Sequence, residues 1–232
     1  GKFAYDYTHY LSRDTVQFLQ ENVTKKMQFD NTYYQQDWYL SAVNMYSILP
    51  VWDVSLSVDF QYNKLNAVMR GVGTPFTFPQ RYTTWAALAT ALNLGKWKLQ
   101  ADVLGTFVIE KVRNNVEAPD KSEFSPALIV GYKPFSNQDL NLRAFYKRIF
   151  RLPTFNDLYY AQIGFSQLNP EFTNQFNIGG SYQKTFKTGM IDRIALQMDV
   201  YYAAITDKII AAPTGSSFRW MMTNMGKVES KG

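Results

Sequence analysis

An all-β, antiparallel up-and-down transmembrane barrel is the fold class this sequence predicts, and three observations predict it. Apolar and polar residues alternate with period two along most of the chain. Short and long connections between those stretches alternate as well, which suits turns on one side of a membrane and loops on the other. Aromatics are 16% of the 232 residues and charged residues only 19%, below the roughly 25% of an average soluble domain. That mix leaves unusually apolar surface exposed.

The strands follow in order. The chain opens in strand pattern with GKFAYDYTHY, and YYQQDWYLSAVNMYSIL continues it. In SLSVDFQY, Leu56, Val58, Phe60 and Tyr62 share one face, and Ser55, Ser57, Asp59 and Gln61 the other. TTWAALATALNL is rich in alanine and has the composition of a helix, but the strong strands on either side favour a strand. In WKLQADVLGTFVI, Trp97, Leu99, Ala101, Val103, Phe107 and Ile109 share a face with Gly105, opposite Lys98, Gln100 and Asp102. LNLRAFYKRIF offers Asn141, Arg143 and Lys147 to a wet interior. QFNIGGSYQ carries Phe176, Ile178 and Tyr182 on one side. IALQMDVYY sets Ile194, Leu196, Met198, Val200 and Tyr202 against Ala195, Gln197, Asp199 and Tyr201. A tilted strand needs about 9 to 11 residues to cross a bilayer, and these stretches have that length. The count is about ten strands.

The connections sharpen the reading. Tight turns are expected near Leu49-Pro50, Leu94-Gly95-Lys96, Lys133 to Gln138 and Lys187-Thr188-Gly189. Long irregular stretches are expected at residues 64–81, 111–125, 149–171 and 205–219. Aromatics crowd the tight turns: Trp52 after Pro50, Trp97 after Gly95, Tyr132 and Phe135 around Pro134. An interfacial girdle has this look. Alternation alone does not separate a barrel from a sandwich; the rhythm of the connections does.

Composition excludes several chemistries. There is no cysteine, hence no disulfide, thiol catalyst or cysteine-type zinc site. The single histidine, His9, lies in strand pattern, and one histidine cannot build a His-rich metal site. The net charge of +5 is mild and evenly spread, unlike a nucleic-acid surface. Asn22 heads a short sequon, and Gly71 to Gly73 read as a turn rather than a phosphate loop. Asp120 and Glu123 sit in the charged stretch APDKSEF and read as a solvated loop, not an acid–base pair. No catalytic residue, metal site or cofactor is expected. A strand pattern from residue 2 and a stop at VESKG read as a piece of something larger.

The second half of the chain carries linked motifs. LRAFYKRIFRLPTFNDLYY is followed by LNPEFTNQFNIGGSY, then DVYYAAITDKIIAAP, then FRWMMTNMGKVESKG. In order and spacing these resemble the C-terminal half of a TonB-dependent outer-membrane receptor, in the version common in Bacteroidetes. The resemblance implies a segment of a 22-stranded barrel, with the N-terminal plug, the energy-coupling segment and the final strands outside this chain. Residues 151–171 are then a long extracellular loop, with Arg151, Pro153, Thr154, Phe155, Asn156, Asp157, Leu158 and Tyr159 holding its shape. In this reading Pro153 ends ladder pairing, Asn156 and Asp157 turn the chain, and Pro170 and Glu171 mark its return to the wall. Ala203, where the family usually has Asn, and Ser230, where an apolar residue is usual, depart from the pattern.

By the same resemblance the function is active uptake of a scarce nutrient across the bacterial outer membrane. The expected cargo is a metal chelate, such as a ferric siderophore or haem, or cobalamin. The expected partners are that ligand, the TonB complex acting through regions outside this chain, and outer-membrane lipid. Tyr159, Phe165, Phe218 and Trp220 are candidate ligand contacts from the loops. A glycan or peptide importer of the same family, a passive porin and a soluble all-β binding domain or enzyme are the alternatives.

Overall fold

The computed structural model describes residues 2–18, 23–70, 76–114, 116–160, 164–186, 192–213 and 220–232, with side chains for Ala4 and from residue 32 onward except 69 and 70. Ten strands run in chain order: β1 (Lys2–Phe18), β2 (Val23–Leu49), β3 (Trp52–Arg70), β4 (Gln80–Leu94), β5 (Trp97–Lys111), β6 (Lys121–Tyr132), β7 (Asp139–Arg151), β8 (Glu171–Thr185), β9 (Arg193–Pro213) and β10 (Trp220–Lys231). One short helix, α1 (Phe155–Tyr159), lies between β7 and β8. Each strand pairs antiparallel with the next, giving a single sheet in the order β1 to β10. This up-and-down meander is the expected topology, because consecutive antiparallel strands need only a short reversal to meet.

Register decides which side chains share a face. Val58, Ala86 and Gly105 lie on one rung across β3, β4 and β5. Tyr146, Phe176 and Tyr202 do the same across β7, β8 and β9. The apolar sets of neighbouring strands in these groups therefore merge on the outer surface. Met198 is 73% exposed and Ile178 70% exposed. In water such a surface would drive association; against lipid it costs nothing. The alanine-rich stretch is strand β4, because both its edges complete ladders, with β3 and β5.

The opposite face is polar and internally bonded. Tyr39 Oη donates to Asp59 at 2.7 Å, and Gln35 and Asn63 both donate to the Asp37 carboxylate. Arg143 on β7 reaches across β8 to Asp199 on β9, at 2.7 Å. Gly179 stands between them in register. A Cβ at Gly179 would collide with the Asp199 carboxylate, so the glycine is what lets this ion pair bridge a whole strand. Ala203 and Ser230 are rung partners across β9 and β10. The two departures from the motif pattern thus face each other.

At one end of the sheet, residues 50–51, 95–96 and 133–138 reverse the chain, with Gly95 in the left-handed region at φ 59. Here Trp97 stacks on Tyr132 at 4.3 Å, and Trp52 Nε1 donates to Thr90. The fourth expected turn, around Thr188, falls outside the described residues, as do Asn22 and Gly71 to Gly73.

At the other end the strands run further than the sequence suggests. β3 continues to Arg70, β6 begins at Lys121 and β9 continues to Pro213. Much of the stretches expected to be irregular is therefore ladder. Hydrogen-bonded pairing overrides weak alternation once a neighbouring strand is present.

Candidate functional site

The apolar core sits at the long-connection end, where residues 152–160 and 164–170 fold onto the inner wall. Phe155, Leu158, Tyr159 and Leu168 of this segment are buried with Leu65, Phe76, Ala118 and Ile209. Tyr33 of β2 and Met222 of β10 pack against the cluster. The segment therefore ties together strands from nearly the whole sheet.

The stretch RLPTFNDLYY has a definite local structure. The turn expected at Asn156 and Asp157 is the helix α1. Thr154 is its N-cap, and its side chain accepts from the Asp157 backbone N at 3.2 Å. Asp157 returns the favour, accepting from Thr154 N at 2.8 Å. This reciprocal pair is a capping box, which satisfies two backbone donors at once. Pro153 precedes the cap and cannot extend β7. The Asp157 carbonyl also accepts from Phe165 N at 2.9 Å, closing the segment on itself. The spacing T-x-x-D was the legible signal for α1, although short helices seldom show periodicity.

Four contacts hold this segment in place. Arg81 on β4 makes an ion pair with Glu110 on β5 at 2.5 Å, donates to the Pro153 carbonyl at 2.8 Å and lies over the Phe155 ring at 5.0 Å. Tyr159 Oη accepts from Ala118 N at 3.2 Å. Burial, with the nearby Glu110 carboxylate adding to it, pushes the Tyr159 hydroxyl up to about 12. At the far end, Arg151 pairs with Glu171 at 3.0 Å, and Glu171 also accepts from Ile209 N. Asn224 on β10 accepts from Asn169 N at 2.8 Å and donates to both the Asn169 and Asp207 carbonyls.

A polar cavity of about 400 Å³ opens where the segment meets the wall, lined by Gln35, Gln61, Asn63, Arg81, Thr154, Phe155 and Asn156. A second cavity, of about 450 Å³, has Trp85, Asp102, Lys147 and Phe150 among its lining residues. The first is rich in amides, which donate and accept, and so suits a ligand with many hydrogen-bonding groups. Among the described residues no cluster of acidic, histidine or cysteine side chains is arranged to hold a metal ion.

The family profile described as TonB dependent receptor-like, beta-barrel, matches residues 1–232. The chain belongs to the TonB-dependent receptor β-barrel family. Solved structures with a similar fold include a double mutant of the Serratia marcescens hemophore receptor HasR in complex with its hemophore HasA and heme. It is 13% identical, with a TM-score of 0.68 over 98% of this chain and 42% of that one. The copper transporter OprC is 14% identical, with a TM-score of 0.67 over 88% of this chain and 34% of that one. The FrpB iron transporter of Neisseria meningitidis is 12% identical, with a TM-score of 0.58 over 91% of this chain and 33% of that one. The chain thus spans less than half the length of these proteins. Comparison with curated protein sequences finds no match. The protein lies in the outer membrane, and its family and neighbours are receptors and transporters rather than enzymes.

Within this TonB-dependent receptor barrel, the residues singled out from sequence fall into distinct places. Pro153, Phe155, Leu158 and Pro170 are buried, and Asn156 lines the polar cavity. Tyr159 is 6% exposed and belongs to the core. Phe165 keeps an exposed ring on the loop. Trp220 is exposed as well, but it is the first residue of β10 rather than a loop residue. Phe218 lies outside the described residues. Arg81 and Glu110 were not visible to sequence reasoning. They are 29 residues apart, and no local pattern links them.

Proposed function

We propose that this chain is part of the barrel of a receptor for TonB-dependent active uptake of a scarce nutrient, of the Bacteroidetes type. The cargo is a metal chelate, a ferric siderophore or haem, or else cobalamin. The observation that carries this reading is the connection between β7 and β8, capped and anchored over the inner wall through the buried Phe155, Leu158, Tyr159 and Leu168, with a polar cavity at its base. The named functions of the structural neighbours, which concern heme, copper and iron, support the same reading. The plug, the energy-coupling segment and the remaining strands of a 22-stranded barrel belong to the rest of the receptor, and the TonB complex acts through them.

One observation favours a second cargo class. Gln35, Gln61, Asn63 and Asn156 make the cavity amide-rich, which suits the hydroxyls of a glycan or the amides of a peptide. Calorimetry on the full-length receptor in detergent decides between them. Cobalamin, haem, ferric siderophores, oligosaccharides and short peptides are titrated in turn. Tight binding of a chelate or cobalamin, weakened by Asn63→Ala, is the expected result. Binding only of an oligosaccharide or peptide moves the assignment to glycan or peptide import. A folded receptor that binds none of them leaves the porin.

A further inference from the structure

The wall has a seam between β6 and β7. These strands are laddered only from Ala127↔Lys147 to Tyr132↔Leu142. Toward the long-connection end, residues 121–126 of β6 and 148–151 of β7 do not pair with each other. Their other edges stay paired, β6 with β5 as far as Lys121 and β7 with β8 as far as Arg151. The ladder stops at Pro126, which has no N–H to add to it. Arg148 reaches across the gap. Its Nη1 donates to the Phe124 carbonyl at 3.4 Å, and its Nη2 stands 3.7 Å from Glu123 Oε2. Both distances are longer than those of a well-formed N–H···O bond, so this is a loose clip.

The cavity of about 450 Å³ lies in the seam, and Lys147, Arg148, Ile149 and Phe150 all line it. Consecutive strand residues point to opposite faces. Lys147 and Ile149 share the inner face with Arg143. Arg148 and Phe150 share the outer face with Tyr146, and both lie against the ring of Phe172. A cavity over an unbroken wall would meet only alternate residues of β7. This one therefore passes round the strand's edge, from the interior to the lipid face.

The two ends of the cavity differ in chemistry. Asp102, Ala127 and Lys147 are consecutive rung partners across β5, β6 and β7. At two strand spacings, the Asp102 and Lys147 Cα atoms stand about 10 Å apart over the small Ala127. Among the described residues neither is in an ion pair. The remaining walls are mainly apolar, with Trp85, Leu104, Ile149, Phe150 and Leu152. One charge of each sign on the inside and an apolar passage outward match a zwitterionic head with one aliphatic tail. The volume is that of a small-molecule site.

We infer that the β6–β7 seam binds a single-chain zwitterionic amphiphile. Its ammonium meets Asp102, its carboxylate meets Lys147, and its tail leaves through the wall past Phe150. A zwitterion without a tail would leave the apolar part of the passage unfilled. The seam belongs to the wall itself, so the inference holds whatever the cargo.

The test uses the full-length receptor in nanodiscs, with Nε-decanoyl-lysine as the probe and calorimetry against empty nanodiscs as the blank. The wild type binds the probe. Nε-acetyl-lysine, which keeps the head and lacks the tail, binds at least about tenfold more weakly. K147Q and D102N each weaken binding of the probe about tenfold, the loss of one charge-assisted hydrogen bond. K98Q, on the same face but outside the cavity, changes nothing. S125C/I149C, in a receptor freed of any other cysteine, places one thiol on each side of the seam. Bridging them with a short bis-thiosulfonate abolishes binding, and reductant restores it, so the same folded protein is its own control. Each variant is first shown to keep the wild-type heat-dependent shift on gels. Equal binding before and after bridging overturns the passage through the wall. Equal affinity of wild type, K147Q and D102N overturns the head site. Absence of probe binding by the wild type overturns the proposal outright.

Discussion

Arg81 is the residue on which the loop anchoring depends most. Its guanidinium neutralises a Glu110 side chain that is only 3% exposed, and it also holds Pro153 and Phe155. Arg81→Ala leaves a buried carboxylate without its partner, which costs about 3–5 kcal/mol. The expected result is a clearly lowered unfolding temperature of the full-length receptor in detergent, with Arg81→Lys intermediate. An unchanged temperature contradicts the anchoring role. Tyr159 gives a pH test with a definite sign. Its hydroxyl titrates near 10 in an unfolded chain and at about 12 in the fold. Between those values the unfolded state binds fewer protons, so stability is intact below pH 10 and falls as pH rises to 12. Tyr159→Phe is expected to flatten that part of the stability profile, at a cost of about 1 kcal/mol near neutrality from the lost Ala118 hydrogen bond. A profile that stays as steep in the variant removes Tyr159 as the source.

Residues 152–160 and 164–170 are held together because their own hydrogen bonds and their anchors coincide. The Thr154–Asp157 capping box fixes their entry, and Asn224 fixes their exit on β10. Loss of an N-cap costs about 1 kcal/mol. Limited proteolysis of the assembled receptor is expected to show faster cleavage within 152–170 for Thr154→Ala and Asn224→Ala, additively in the double variant because the two contacts share no partner. Cleavage at the wild-type rate shows that the buried side chains alone hold the segment. The motif residues are thus structural in the first instance. They set where the cavity lies, and Asn156 supplies one of its walls.

At the scale of the whole sheet, the sidedness read from register is directly testable. Met198 faces outward among Leu196 and Val200, while Gln197 faces the interior and donates to Asp199. Arginine on the lipid face costs about 2–4 kcal/mol at the bilayer midplane. Met198→Arg is therefore expected to impair folding into bilayers strongly and Gln197→Arg only weakly, as read by the folded fraction on gels. Similar effects from both contradict the assigned faces. The same geometry explains why the apolar surface need not be hidden: lipid covers it.

Period-two alternation determined the strands and their apolar faces without help, because in a sheet the side-chain period depends only on backbone geometry. Leu56, Val58 and Phe60, or Leu196, Met198 and Val200, could be sorted from sequence alone. The loop motif was also legible as a motif, since its residues are contiguous. What it does was not. The capping box, the buried Tyr159 and the Glu171 pairing came from the structure, and so did the exact ends of β3, β6 and β9. The Arg81–Glu110 pair and the Arg143–Asp199 bridge over Gly179 were decided only by register between strands. Those contacts join residues up to 56 positions apart, as between Arg143 and Asp199. A local pattern cannot specify them, because which residues meet depends on the register of every intervening strand.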